Sequence, residues 1–199
     1  MFAKSGETIN DLKERGFYQT TFQIKKPNLF KLAQAGRSDL IDWIRSKGIS
    51  ILKIDTINGV AFGGHLELVK YLKYQNCFWS EWTCAWAAEG GHLKVLKWLR
   101  EEGCPWDEMT CAHAAEGGHL NVLKWLREED CPWDEWTAKG GHLEVLKWLR
   151  EKGCPWDADT CNYAAKCGRL RVLKWLREEG YLWMNGLVYG PSMAVNLRY

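Results

Sequence analysis

The chain has 199 residues, 46% hydrophobic and 26% charged, values that suit one folded domain with a continuous core. Its 27 basic and 25 acidic residues are interspersed and leave a formal charge of +2, which argues against a nucleic-acid partner. The opening MFAKSGETINDLKERG has no apolar stretch and no segment reaches the roughly 18 apolar residues of a membrane span, so the reading is a cytoplasmic, reducing setting with no membrane partner.

Residues 1–27 lie outside any internal pattern and are expected to form a cap, with a short helix over 9–16 covering the first exposed core face. From there the chain repeats itself. Gly-Gly-His-Leu begins at Gly63, Gly90, Gly117 and Gly140, a degenerate Cys167-Gly168-Arg169-Leu170 follows, and a diverged Ala35-Gly36-Arg37-Ser38 precedes. Six units result, at about 28–52, 53–79, 80–106, 107–133, 134–156 and 157–183, with 184–199 left as a C-terminal cap or tail.

Each unit reads as two short antiparallel helices. In the fullest one, the Asp107 carboxylate is placed to accept from the orphan N–H groups that open a helix, and helix A is expected to run from there through Ala114 and Ala115. Gly117 and Gly118 are expected to supply positive φ and turn the chain. Helix B carries Leu120, Val122, Leu123, Trp125 and Leu126 on two adjoining apolar stripes, with Lys124, Arg127, Glu128 and Glu129 left for solvent. Asp130-Cys131-Pro132-Trp133 closes the unit, since proline disfavours helix in the residue before it. Nothing in a unit resembles a strand. Helices of about ten residues are marginal alone, so the units must stack, and the expected fold is an all-α solenoid of helix pairs in which each unit touches its neighbours.

The fifth unit is four residues short, because Asp134-Glu135-Trp136-Thr137 runs straight to Ala138-Lys139. Four residues make about one turn. Helix A there is expected to shrink to little more than a single turn and to be a local weak point. At the end, Tyr181-Leu182-Trp183 replaces Cys-Pro-Trp, and the glycines and proline beyond suggest a partly loose tail.

Eight cysteines fall mostly on two repeat positions: Cys77, Cys104, Cys131 and Cys154 between units, and Cys84, Cys111 and Cys161 inside helix A, with Cys167 off-pattern. A metal reading would join them to His65, His92, His119 and His142, but zinc sites usually use tight Cys-X2-4-Cys pairs. One cysteine per turn at fixed register is better read as a small buried hydrophobe, ahead of metal ligation or a disulfide ladder. No serine, cysteine or carboxylate recurs in a triad-like relation to these histidines, and Gly-Gly-His-Leu lacks the lysine of a phosphate loop. No enzyme and no cofactor is expected.

Variation between units carries the functional signal. The third, seventh and tenth positions of helix A change most, and their spacing puts them on one face. That face reads Trp82, Trp86 and Glu89 in the third unit, Met109, His113 and Glu116 in the fourth, Trp136 and Lys139 in the fifth, and Asp159, Tyr163 and Lys166 in the sixth. Aromatics mixed with Met, His and a few charges match the centres of protein interfaces, so these are the candidate partner-binding residues. The rival reading is that Trp82 and Trp86 pad the core. Trp98, Trp125, Trp148 and Trp175 keep one register on helix B and are expected to pack between units.

Ala114-Ala115-Glu116-Gly117-Gly118-His119-Leu120-Asn121-Val122-Leu123 resembles the ankyrin pattern, and the likeness covers roughly residues 28–180. The units depart from that pattern in length, 27 residues against about 33, and the Thr-Pro-Leu-His opening survives only as Thr-Cys-Ala. The missing residues are those of ankyrin's projecting β-hairpin. Short variants with Gly-Cys-Pro-Trp-Asp between units resemble the expanded ankyrin-like families of protists and large DNA viruses. The resemblance implies a monomeric scaffold that binds another protein, with helix A lining the concave side and the repeated histidine bonded to backbone. Two alternatives stay open: a substrate-recruiting adaptor of a ubiquitin ligase, for which residues 1–27 are too short to be a full F-box, and a metal-binding repeat protein.

Overall fold

The computed structural model describes residues 29–36, 39, 42, 46, 53–154, 170–180, 182–184 and 187–189. The expected N-terminal cap with its helix over 9–16 lies outside the described residues. So do Cys161, Cys167 and helix A of the sixth unit, with Asp159, Tyr163 and Lys166.

The helices alternate as A and B along the chain: α1 (Leu29–Gln34), α2 (Ile54–Phe62), α3 (Leu66–Tyr74), α4 (Glu81–Glu89), α5 (Leu93–Glu101), α6 (Glu108–Glu116), α7 (Leu120–Glu128), a 3-10 helix (Glu135–Gly140), α8 (Leu143–Glu151) and α9 (Leu170–Glu178). The A helices lie side by side, α1 against α2, α2 against α4, α4 against α6 and α6 against the 3-10 helix. Small residues permit that approach, since Thr83, Cys84, Ala85, Ala87 and Ala88 are all buried in α4 and Thr110, Cys111, Ala112, Ala114 and Ala115 in α6. Three of the B helices bury a Val-Leu-Leu stripe, Val95, Leu96 and Leu99 in α5, Val122, Leu123 and Leu126 in α7 and Val145, Leu146 and Leu149 in α8. Together they form one core that runs from Ala33 to Leu176. A buried leucine contributes about 1.5–3 kcal/mol, so the stack supplies what an isolated nine-residue helix lacks.

Helix A of the fourth unit opens as the sequence indicates, with the Asp107 carboxylate accepting from Met109 N–H at 3.1 Å. Its end corrects the glycine expectation. Gly117 has φ −70° and only Gly118 is left-handed, at +76°. Gly118 N–H bonds Ala115 C=O and His119 N–H bonds Ala114 C=O, the paired closure of a Schellman motif. Gly117 is needed for space instead, because a Cβ there would lie 2.2 Å from the Glu89 carbonyl oxygen of the neighbouring unit.

The B helices end by the same device rather than by proline. Gly103 N–H bonds Arg100 C=O and Cys104 N–H bonds Leu99 C=O, and the pattern recurs at Asn76-Cys77, Asp130-Cys131 and Gly153-Cys154. Phe78 stands where later units carry proline, and α3 still ends this way. The left-handed residue, φ +59° at Asn76 and +56° at Asp130, is what stops the helix.

The fifth unit replaces nine α-helical residues with six in a 3-10 helix. At a rise of about 2.0 Å per residue the six span about 12 Å, against about 13.5 Å for nine at about 1.5 Å. Tighter winding thus keeps the length of the A layer despite the deletion. The Asp134 carboxylate accepts from Trp136 N–H at 3.0 Å, so the N-cap survives.

The tail adds one strand pair to the all-α solenoid. Leu182–Met184 (β1) and Leu187–Tyr189 (β2) pair antiparallel, with Met184 opposite Leu187. The strand straddles the boundary drawn between 183 and 184. Asn185 and Gly186, the two residues between the strands, are a pair that favours tight hairpins.

Candidate partner-binding face

Three recurring contacts fix the helices in place. The imidazole of each Gly-Gly-His-Leu lies on the second glycine of the preceding unit: His65 on Gly36, His92 on Gly64, His119 on Gly91 and His142 on Gly118, so close that a Cβ on the glycine would fall within 2.5 Å of the ring. His65 Nε2 donates to Gln34 C=O at 2.9 Å and His142 Nε2 to Glu116 C=O at 2.9 Å. His92 bonds the Phe62 backbone, and burial holds its pKa below the ordinary value. These rings join neighbouring units through backbone.

The inter-unit cysteines clasp each unit to itself. Cys77, Cys104, Cys131 and Cys154 donate their thiols to the carbonyls of Lys53, Ser80, Asp107 and Asp134, at 3.6, 3.5, 3.5 and 3.5 Å. Each acceptor is the residue just before its unit's helix A, so the bond ties the end of helix B to the start of helix A. Burial pushes the Cys77 thiol up to about 11 and Cys154 to about 12. Cys84 rises further still, through its hydrogen bond with Cys104 and then burial, and Cys111 through the equivalent bond with Cys131. Protonated thiols donate hydrogen bonds but are poor nucleophiles.

On the B side the repeated tryptophans pack between units. Trp79 meets Trp98, Trp106 meets Trp125 and Trp133 meets Trp148, edge to face at 5.8–6.0 Å between ring centroids. The Arg100 and Arg127 guanidinium groups lie 4.0 Å over Trp106 and Trp133. Open grooves beside these rings, one of about 520 Å³ lined by Arg127, Trp133, Trp148 and Lys152, are by-products of that packing.

The variable positions of helix A do not share one environment. Trp82 is 42% exposed and Trp136 49% exposed. Trp86 is half-buried, its ring centroid 4.9 Å from Phe30, 5.7 Å from Phe62 and 5.4 Å from His113. His113 is only 9% exposed, and its Nδ1 lies 2.6 Å from Glu89 Oε2 across the two units. Trp82 stands edge-on to the same imidazole at 5.7 Å. Met109 and Glu89 are half-buried and Glu116 is exposed. Lys139 Nζ sits 3.3 Å over the Trp136 ring, because residues three apart eclipse in a 3-10 helix.

The structure thus gathers Trp82, Trp86, Glu89, His113 and Glu116 into one patch over the third and fourth units, with Trp136 and Lys139 on the fifth. Phe30 and Phe62 extend the patch and were missed by the sequence reading. Phe62 holds the tenth position of the second unit, so extending the positional rule one unit upstream finds it. Gly59, at the seventh, leaves room for α1, since a Cβ there would lie 2.3 Å from Phe30 C=O.

No helix among the described residues is long and apolar enough to cross a membrane, and the curated proteins contain no match to this chain. The family described as ankyrin repeats (many copies) matches residues 84–127 and 135–177, stretches that include Gly-Gly-His-Leu at Gly90, Gly117 and Gly140. Ankyrin repeats as a class are protein–protein interaction modules. Over residues 84–127 and 135–177 the chain is thus similar to the ankyrin repeats.

Proposed function

We propose that the protein binds another protein through the A face of its third to fifth units, as a non-catalytic scaffold. The observation that carries this is the exposure of Trp82 and Trp136 on the variable face, while the invariant tryptophans of the B helices are engaged between units. Large rings left partly open, flanked by buried polar anchors, have the make-up of an interface hot spot. The repeated residues have other tasks, for the histidines and cysteines hold backbone and the carboxylates of Asp107 and Asp134 cap helices. Thiols serving as hydrogen-bond donors suit a reducing cytoplasm, which we take as the setting.

The test is affinity capture with the intact chain and with a Trp82→Ala/Trp136→Ala variant. Each substitution is expected to weaken one partner by about 2 kcal/mol, roughly 30-fold, with the thermal midpoint nearly unchanged. Ligase subunits captured alongside that partner would assign the adaptor role. Capture that survives the double substitution would defeat the proposal, as would a variant that melts far below the parent.

A further inference from the structure

We propose that Glu89, His113 and Glu116 form a binding site for a divalent transition-metal ion of the zinc type. One donor atom from each lies within 4.8 Å of the others. His113 and Glu116 are three residues apart on α6 and share a face. Glu89 is the residue of α4 that matches Glu116 one unit earlier, so side-by-side packing of α4 and α6 completes the set.

The distances suit an ion that replaces a proton. His113 Nδ1 and Glu89 Oε2 are 2.6 Å apart, a hydrogen bond whose proton occupies the space between a nitrogen and an oxygen ligand. A tetrahedral ion with bonds of about 2.0–2.2 Å holds its donors about 3.3–3.5 Å apart. The close pair must open by less than about 1 Å, and Glu116 must approach by about 1.5 Å at most, within reach of carboxylate torsions. On binding, Nδ1 gives up its proton and Nε2 carries one, which leaves a neutral nitrogen ligand.

Two features of the surroundings favour a cation. Glu89 and Glu116 are the last residues of their helices, the ends at which the helix dipole places partial negative charge. Two carboxylates at two such ends repel one another unless positive charge joins them. The imidazole is also held in place, between Trp82 at 5.7 Å and Trp86 at 5.4 Å, so little ordering remains to be done on binding. At the position that Glu89 and Glu116 hold, the fifth unit has Lys139, which lies over Trp136, and the second has Phe62, so the ligand set occurs once among the described residues.

One imidazole with two carboxylates suits zinc better than magnesium or calcium, which prefer all-oxygen shells. Three protein ligands leave a coordination position open toward the exposed Glu116 edge, for water or a donor from a bound protein. The site stands whether or not the face binds a protein.

The test uses the full chain, reduced and freed of metal by a chelator, titrated with Zn2+ by calorimetry and with Co2+ by absorbance. One ion per chain is expected, with a rise in thermal midpoint and a Co2+ spectrum of nitrogen and oxygen ligation. Glu116→Gln, at an exposed position, is expected to leave the metal-free midpoint unchanged and weaken binding by roughly 10- to 100-fold or more. Glu89→Gln is expected to weaken it similarly. Absence of binding, affinity unchanged in both variants, or a thiolate charge-transfer band in the Co2+ spectrum would overturn the proposal.

Discussion

Replacing Trp86 with alanine is expected to lower the free energy of unfolding by about 3 kcal/mol, the lower part of the range for truncating a packed tryptophan. The ring joins four units, touching Phe30 of the first, Phe62 of the second and His113 of the fourth from its own place in the third. Truncation leaves a void among three aromatic side chains carried on separate helices, which cannot close without shifting the A layer. Trp82, one turn earlier on α4, has a single ring neighbour among the described residues, His113, and is 42% exposed. Trp82→Ala is therefore expected to cost less than about 1 kcal/mol. Chemical denaturation of both variants decides. Equal small losses would show Trp86 to be a surface residue like Trp82.

The second large effect is expected at the glycine-to-histidine contacts. Gly91 and Gly103 have nearly the same left-handed backbone, φ +76° and +78°. A Cβ on Gly103 meets nothing within 4 Å, whereas one on Gly91 falls 2.5 Å from the His119 ring. Gly103→Ala should cost about 1 kcal/mol for the dihedral alone. Gly91→Ala should cost about 3 kcal/mol, because the overlap adds to it. In a His119→Ala background the Gly91→Ala penalty should shrink by about 1 kcal/mol or more, read as a coupling energy in a double-mutant cycle. Additive losses would mean that the ring does not rest on the glycine.

Much of this arrangement was legible in the residues themselves. The Asp107 cap, the helix pairs and the buried cysteines follow from local rules that need only a few neighbouring residues. What the chain did not disclose depends on contacts between units. Gly117 resembles Gly118 in sequence, yet the first glycine answers to a carbonyl 28 residues away and only the second to its own dihedral. Trp86 and Trp82 look alike on a helical wheel, and Phe30, two units upstream, is what sets them apart. The loss of a turn after Asp134 could be read, but its absorption by 3-10 winding required knowing that the A layer keeps its length. Asn185-Gly186 between apolar residues was a signal present in the sequence and passed over. At the proposed site, His113 and Glu116 share a face by spacing alone, while the part of Glu89 depends on the lateral register of α4 and α6.

Everything assigned to the A face depends on short hairpins holding one another in a row. Amide hydrogen exchange resolved by residue tests this most directly. The amides that close the B helices, Cys104 N–H and Cys131 N–H, and those of α4 to α7 are predicted to exchange only through opening of the stack, with faster exchange in the six residues of the 3-10 helix. Exchange in α4 to α7 as fast as in isolated peptides of the same sequence would contradict the stacked arrangement and the face built on it.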